Sequence, residues 1–250
     1  MKKLIVGNWK MNPTTRDEAR RLSSDIKRGA VKIKNANIAV CPPFVFARDA
    51  MEIFDGGKIL VCAQDIFWKE SGAYTGEISG LMLKNLGVKL VLVGHSERRT
   101  LGETDDIVNK KVKSAIKLGL VPIICVGEKE RDNHGYYLAT VKKQIEHAFA
   151  GIPGTMLKNT VVAYEPIWAV GNVEFKTATP HDAVEMAIFI KKVLADRYGA
   201  ERAHDIRILY GGSSNPQNAG GFLAEKEIAG LLIGRESLDA KKFLAITALC

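Results

Sequence analysis

The residues of this chain best suited to chemistry begin with Glu165, which directly follows the β-branched apolar run 160–164. Such a run reads as a short buried strand, and Pro166 ends it while keeping its predecessor out of helix. A carboxylate is thereby placed at the carboxyl end of a strand, beside Ile167 and Trp168, with the small residues Ala169, Val170 and Gly171 next. A carboxylate against apolar surface is poorly hydrated and makes a usable general base. Taken alone, the same stretch also reads as a loop glutamate that happens to follow a strand. Other chemistry-bearing residues stand at similar places: Asn8 and Lys10, Gln64 and Asp65, His95-Ser96-Glu97, Glu128, Gly211-Gly212-Ser213 and Gly234.

The elements that must position them form a regular alternation. Continuous apolar runs at 4–6, 38–41, 59–63, 90–93, 121–126, 160–164, 206–210 and 231–233 read as strands covered on both faces, as in a parallel sheet. Helical stripes lie between them. Thr15 with Glu18 fits a capping box, Thr104 with two aspartates opens another helix, and Thr179-Pro180 opens a third that ends at Gly199. Weaker helices are expected over 44–54 and 80–86, and a last one from Ser237 onward.

Eight strand–helix units in 250 residues predict a single (β/α)8 barrel domain spanning residues 1–250. A doubly wound open sheet is the alternative, but no G-x-G-x-x-G turn follows an early strand. In a barrel all the residues named above share the functional rim.

Composition narrows the partners. Hydrophobic residues make up 46% of the chain, enough for a core. The net charge of +8 suits an anionic partner, but it is scattered and only 7% of residues are aromatic, which argues against a nucleic-acid module. Cys41, Cys62, Cys125 and Cys250 lack metal-ligand spacing and read mostly as buried free thiols, so neither a metal nor a disulfide framework is expected. With no signal-peptide pattern and no membrane-spanning run, the expected location is cytoplasmic.

The rim residues define a reaction class. Glycines after strands seven and eight form an anion cradle ahead of a helix. His95, just before a helical turn, is expected to be a neutral hydrogen-bond donor, and Lys10 supplies a fixed positive charge. A base, a neutral electrophile, a cation and a phosphate cradle, with no cofactor, suit proton abstraction beside a carbonyl. The expected reaction is an aldose–ketose isomerisation of a small phosphorylated substrate.

Asn8-Trp9-Lys10-Met11-Asn12, Gly94-His95-Ser96-Glu97-Arg98-Arg99, Ala163-Tyr164-Glu165-Pro166-Ile167-Trp168-Ala169, Tyr210-Gly211-Gly212-Ser213 and Ser237-Leu238 together resemble the triosephosphate isomerase family, in order, spacing and nearly the whole length. The resemblance implies a TIM barrel interconverting dihydroxyacetone phosphate and glyceraldehyde 3-phosphate, in glycolysis and gluconeogenesis. It implies Glu165 as base and His95 as neutral electrophile, a pairing for which this family is the standard example. It further implies that Asn8 and Lys10 contact substrate, that Glu97 and Ser96 support them, and that Gly171, Ser213 and Gly234 bind phosphate, within a lid over 166–178. A homodimer is implied too, with Thr75 near the partner subunit's site and Glu77 facing the partner's Arg98.

Three positions depart from the family pattern W-A-x-G-T-G-K-T-A and its glycines. The lid is two residues longer and gains Phe175. Arg235 stands where a second cradle glycine is usual, and its guanidinium is expected to turn outward and add to the positive field of the mouth. Gly80 replaces a common proline, which predicts a less sharply started helix. The competing readings are another phosphate-binding barrel isomerase acting on a larger sugar, and a barrel that binds a sugar phosphate or nucleic acid without turnover.

Overall fold

The computed structural model describes residues 2–132, 134–169 and 178–250. Its first half runs β1 (Lys3–Asn8), α1 (Arg16–Ala30), β2 (Ala36–Cys41), α2 (Phe44–Phe54), β3 (Ile59–Ala63), α3 (Gly80–Leu86), β4 (Leu90–Val93), α4 (Ser96–Thr100) and α5 (Asp105–Lys117). The second half runs β5 (Val121–Val126), α6 (Tyr136–Ala148), β6 (Val161–Tyr164), α7 (Pro180–Tyr198), α8 (Ala200–His204), β7 (Arg207–Tyr210), α9 (Ala219–Ala224), β8 (Gly230–Ile233) and α10 (Ala240–Thr247). All neighbouring strands are parallel, and β8 pairs back onto β1 with Leu4 opposite Gly230 and Gly7 opposite Ile233. The chain is a closed (β/α)8 barrel.

Strand periodicity builds two cores. Leu4, Val6, Leu92, Ile123, Ala163 and Leu232 belong to the cluster that fills the barrel. Their alternate neighbours Ile5, Val91, Ile124 and Val162 join the larger cluster under the helices. Burying each Leu, Ile or Val fully contributes about 1.5–3 kcal/mol. Polar residues inside strands would forfeit this, so they are confined to the ends. Cys41, Cys62 and Cys125 are buried free thiols, and Cys250 is half-buried.

Helix starts follow local chemistry. Thr15 and Thr104 accept the N–H groups of Glu18 and Ile107, both at 3.3 Å. The full reciprocal box forms at α7, where Thr179 and Asp182 bond each other's backbone N–H. Two helix expectations need correction. The helix after β3 starts sharply despite Gly80, because Ser79 Oγ accepts the Met82 N–H. Glycine also suits the packing there, since a Cβ on Gly80 would lie 2.4 Å from Leu118 Cδ1. The last helix does not run on from Ser237. Residues Arg235–Leu238 form a 3-10 turn, and Asp239 then caps a new helix through the N–H groups of Lys241 and Lys242.

One buried charge network joins β3, β4 and α5 behind the rim. Lys111, only 2% exposed, lies 2.6 Å from both Asp65 and Glu103. Arg98 reaches the same two carboxylates at 2.9 Å. The other oxygen of Glu103 accepts the Gly94 N–H at 3.0 Å, so the network holds the turn that ends β4. Desolvation raises both carboxyls. In Asp65 it prevails, whereas at Glu103 Lys111 and Arg98 outweigh it and hold the carboxyl below its ordinary value.

Removing one partner of a buried pair is costly, so Glu103→Gln is expected to destabilise the barrel by about 3 kcal/mol at pH 7. A depressed carboxylate contributes stability that is present above the unfolded-state value, about 4.3, and lost as pH falls through the folded-state value. The deficit of Glu103→Gln should therefore shrink in urea titrations stepped from pH 7 to about pH 3.5.

Candidate active site

Glu165 leaves the end of β6 and is 3% exposed. Its own N–H bonds Val126 O at 2.8 Å, which keeps this residue in register with β5. The neighbouring strand approaches so closely that a Cβ on Gly127 would fall 1.8 Å from Glu165 O. Only glycine allows that approach. The Ser96 N–H donates to Oε2 at 3.0 Å, and His95 Nε2 stands 3.2 Å from Oε1.

His95 sits at the cap position of α4 and is 8% exposed. Gly94 precedes it with φ +73°, a left-handed turn that a side chain would strain, and a Cβ there would meet Val108 at 3.0 Å. The Glu97 N–H donates to His95 Nδ1 at 3.2 Å. A backbone N–H can only donate, so Nδ1 serves as the acceptor and Nε2 is the nitrogen turned to the cavity. Nε2 lies 3.2 Å from Glu165 Oε1.

Lys10 is the only non-glycine residue with positive φ among the described residues, at +53°. Such a conformation costs on the order of 1 kcal/mol and persists only where the surroundings fix it. Asn8 Oδ1 accepts the Lys10 N–H at 3.0 Å, and Gln64 Nε2 donates to Lys10 O at 2.7 Å and to Cys41 O at 2.9 Å. The ammonium lies 2.6 Å from Glu97 Oε1. Glu97 thus serves both residues: its backbone fixes the tautomer of His95 and its side chain aims Lys10.

Asn8, Lys10, His95, Ser96 and Glu165 share one cavity of about 480 Å³, lined also by Gly211, Gly212, Ser213, Ser214, Gly234 and Arg235. At its floor a Cβ on Gly211 would come within 2.9 Å of Glu165 Cγ, and one on Gly234 within 3.3 Å of Lys10 Cε. The backbone itself therefore forms the wall, with N–H groups available to an anion. The helix expected directly behind the strand-seven glycines begins only at Ala219. A turn intervenes, closed by Asn215 N–H on Asn218 Oδ1 at 2.8 Å and by the Gln217 and Asn218 N–H groups on Asn215 Oδ1. After β8 the 3-10 turn follows Gly234 at once, tied by Ser237 Oγ to Gly234 O and Asn8 O. Arg235 is exposed, keeps negative φ and lines the cavity, so its N–H remains available despite the side chain.

Of the residues singled out in the sequence, Asn8, Lys10, His95, Ser96, Glu165, Ser213, Gly234 and Arg235 line this cavity together. Glu97 and Arg98 border an adjoining cavity of about 300 Å³, which Asn8, Lys10 and His95 also line and which Glu77 reaches. Thr75 is exposed and lines neither cavity. The charge of Glu77 adds to that of Asp65 and Glu103 around Arg98 of the same chain. Gly171 and the altered lid positions 172–177 lie outside the described residues.

Sequence reasoning left three groups without a task. Gln64 was visible at a strand end, but its bonds to Lys10 and Cys41 were not. Gly127 carries no sequence signal for its contact with Glu165. Glu128, 1% exposed, accepts both Tyr164 Oη–H and Trp168 Nε1–H at 2.7 Å. Burial pushes its carboxyl up against the opposing pull of those two donors. It anchors the 3-10 turn Ile167–Ala169 that follows Glu165 and Pro166.

Known sequences match nearly the whole chain. The sequence model described as triosephosphate isomerase matches residues 3–250. A triosephosphate isomerase of a Thermoanaerobacter species is 46% identical over 245 residues, covering 97% of both chains. That of Moorella thermoacetica is 46% identical, covering 97% of this chain and 96% of its own. That of Alkaliphilus oremlandii is 43% identical over 248 residues, covering 98% of both. With the barrel, the rim and the alignment agreeing from end to end, the chain belongs to the triosephosphate isomerase family.

Proposed function

We propose that this chain interconverts dihydroxyacetone phosphate and D-glyceraldehyde 3-phosphate through an enediolate, with Glu165 as base and neutral His95 as electrophile, in glycolysis and gluconeogenesis in the cytoplasm. The observation that supports the reading is a buried carboxylate 3.2 Å from a histidine Nε2 in a cavity that also holds Lys10 and the rim glycines.

The substrate phosphate binds the N–H groups of Ser213 and Gly234, with Gly171 contributing a further one from the lid. Arg235 adds positive charge at the same end. Asn8, whose oxygen is occupied by Lys10, keeps its NH2 end for the substrate oxygens. Glu165 removes the proton from the carbon beside the carbonyl. The electrons of that C–H bond form the carbon–carbon double bond, and the carbonyl oxygen takes the negative charge. The His95 Nε2–H and the Lys10 ammonium stabilise that oxygen, and being preorganised they need no reorientation as charge develops. Glu165 then returns the proton to the adjacent carbon. The hydroxyl proton of that carbon's oxygen passes to the oxyanion, so that the second oxygen becomes the new carbonyl and the first a hydroxyl. In the unliganded arrangement Nε2 stands 3.2 Å from Glu165 Oε1, so the substrate binds where the electrophile and the base both reach it.

Glu165→Asp withdraws the carboxylate by one methylene, about 1.5 Å. Since misplacement by about 1 Å can cost on the order of 100-fold, kcat is expected to fall by at least that much with KM changed far less. Gly127→Ala, which displaces the Glu165 backbone instead, is expected to lower kcat comparably. Steady-state kinetics with glyceraldehyde 3-phosphate check both, and retention of full kcat in Glu165→Asp rules out the base assignment.

A homodimer completes the proposal. Met11 after β1, Val45 at the start of α2, Met82 in α3 and Leu101 after α4 are 90%, 74%, 54% and 83% exposed, more apolar surface than a solvated rim calls for. The 65–79 loop with Thr75 and Glu77 is long enough to enter the adjoining cavity on a partner subunit. Sedimentation is expected to show a dimer at micromolar concentration, and a fully active monomer there excludes it.

A further inference from the structure

The phosphate end of the cavity holds more positive charge than a single phosphate cradle needs. Backbone N–H groups at Ser213, Ser214 and Gly234 are neutral donors, and Lys10 is matched by Glu97 at 2.6 Å. Arg235 is different. It opens the 3-10 turn Arg235–Leu238, is exposed and lines the cavity. Its chain neighbour Glu236 is turned to Lys242 at 3.1 Å and does not neutralise it. No ion pair joins Arg235 to any carboxylate among the described residues. Asn12, Asn215 and Trp9 border the cavity with it, and the fully buried Trp9 has an Nε1–H with no acceptor. The cavity's volume of about 480 Å³ lies in the range that takes ligands well above three carbons and one phosphate.

We propose that Arg235 forms a second anion subsite beside the phosphate cradle, selecting small ligands that carry a second phosphate group adjoining the first. This rests on the reading of the 211–214 and 234 backbone as the substrate phosphate site. A guanidinium presents paired N–H donors that match a phosphate's oxygens, which a backbone cradle alone does not duplicate. One phosphate in the cradle leaves Arg235 to solvent, as in triose phosphate turnover. A diphosphate engages both, so such compounds act as competitive inhibitors set apart from simple phosphate by Arg235.

The test compares inorganic pyrophosphate with inorganic phosphate as competitive inhibitors of the isomerase reaction, at constant ionic strength without divalent metal. It is run on the unaltered protein, Arg235→Lys and Arg235→Gly. The readout is the ratio of the two inhibition constants, so any general weakening of the cradle cancels. In the unaltered protein pyrophosphate is expected to bind at least about ten-fold tighter than phosphate, as for a charge-assisted bidentate contact. Arg235→Gly should reduce the ratio to about three-fold or less, with Arg235→Lys between. A ratio equal in all three proteins overturns the subsite and leaves the cradle intact. Inhibition by neither anion overturns the cradle itself, and the subsite with it.

Discussion

A carboxylate that is 3% exposed and has no Lys or Arg partner among the described residues must be held by neutral donors. Glu165 meets that constraint with the Ser96 N–H at the first turn of α4, and His95 Nε2 stands 3.2 Å from its other oxygen. An unsatisfied buried carboxylate would cost several kcal/mol, so this arrangement is a condition of the site's existence. It depends on where α4 begins, because the Ser96 N–H that opens that helix reaches the carboxylate.

The consequences spread outward in order. The His95 tautomer depends on the Glu97 N–H at Nδ1, and the Glu97 side chain then fixes the Lys10 ammonium. Lys10 reaches that position only with a left-handed backbone, which Asn8 and Gln64 hold from both sides. Gly94, which launches His95, is held by Glu103, and Glu103 by Lys111 and Arg98. Electrostatic preorganisation here is a chain of hydrogen bonds that ends in a buried ion network about one helix removed from the chemistry.

Much of this was legible in the sequence because it is written locally. Continuous apolar runs marked all eight strands, and Asn8, Lys10, His95 and Glu165 were readable as one rim once the barrel was assumed. What was not legible joins distant segments. Gln64 bonding Lys10, Gly127 meeting Glu165 and Lys111 pairing Asp65 span 54, 38 and 46 positions, given by the residue numbers. No periodicity or spacing encodes such contacts. The two misplaced helices have a local cause that propensity alone did not resolve. Asn215 and Asn218 close their own turn before α9, and Asp239 caps α10 afresh. The sequence shows Arg235 as a positive charge at the mouth where a glycine is usual, but that no described carboxylate pairs with it needs the fold.

The neutral, Nε2-protonated state of His95 is the claim on which the rest turns. Nitrogen-15 NMR of histidine-labelled protein at pH 7, with His95 assigned by its replacement with Gln, reads that state directly. The geometry predicts a proton-bearing Nε2 and a proton-free, hydrogen-bond-accepting Nδ1 for His95. A proton on Nδ1, whether in the other tautomer or in an imidazolium, would contradict it.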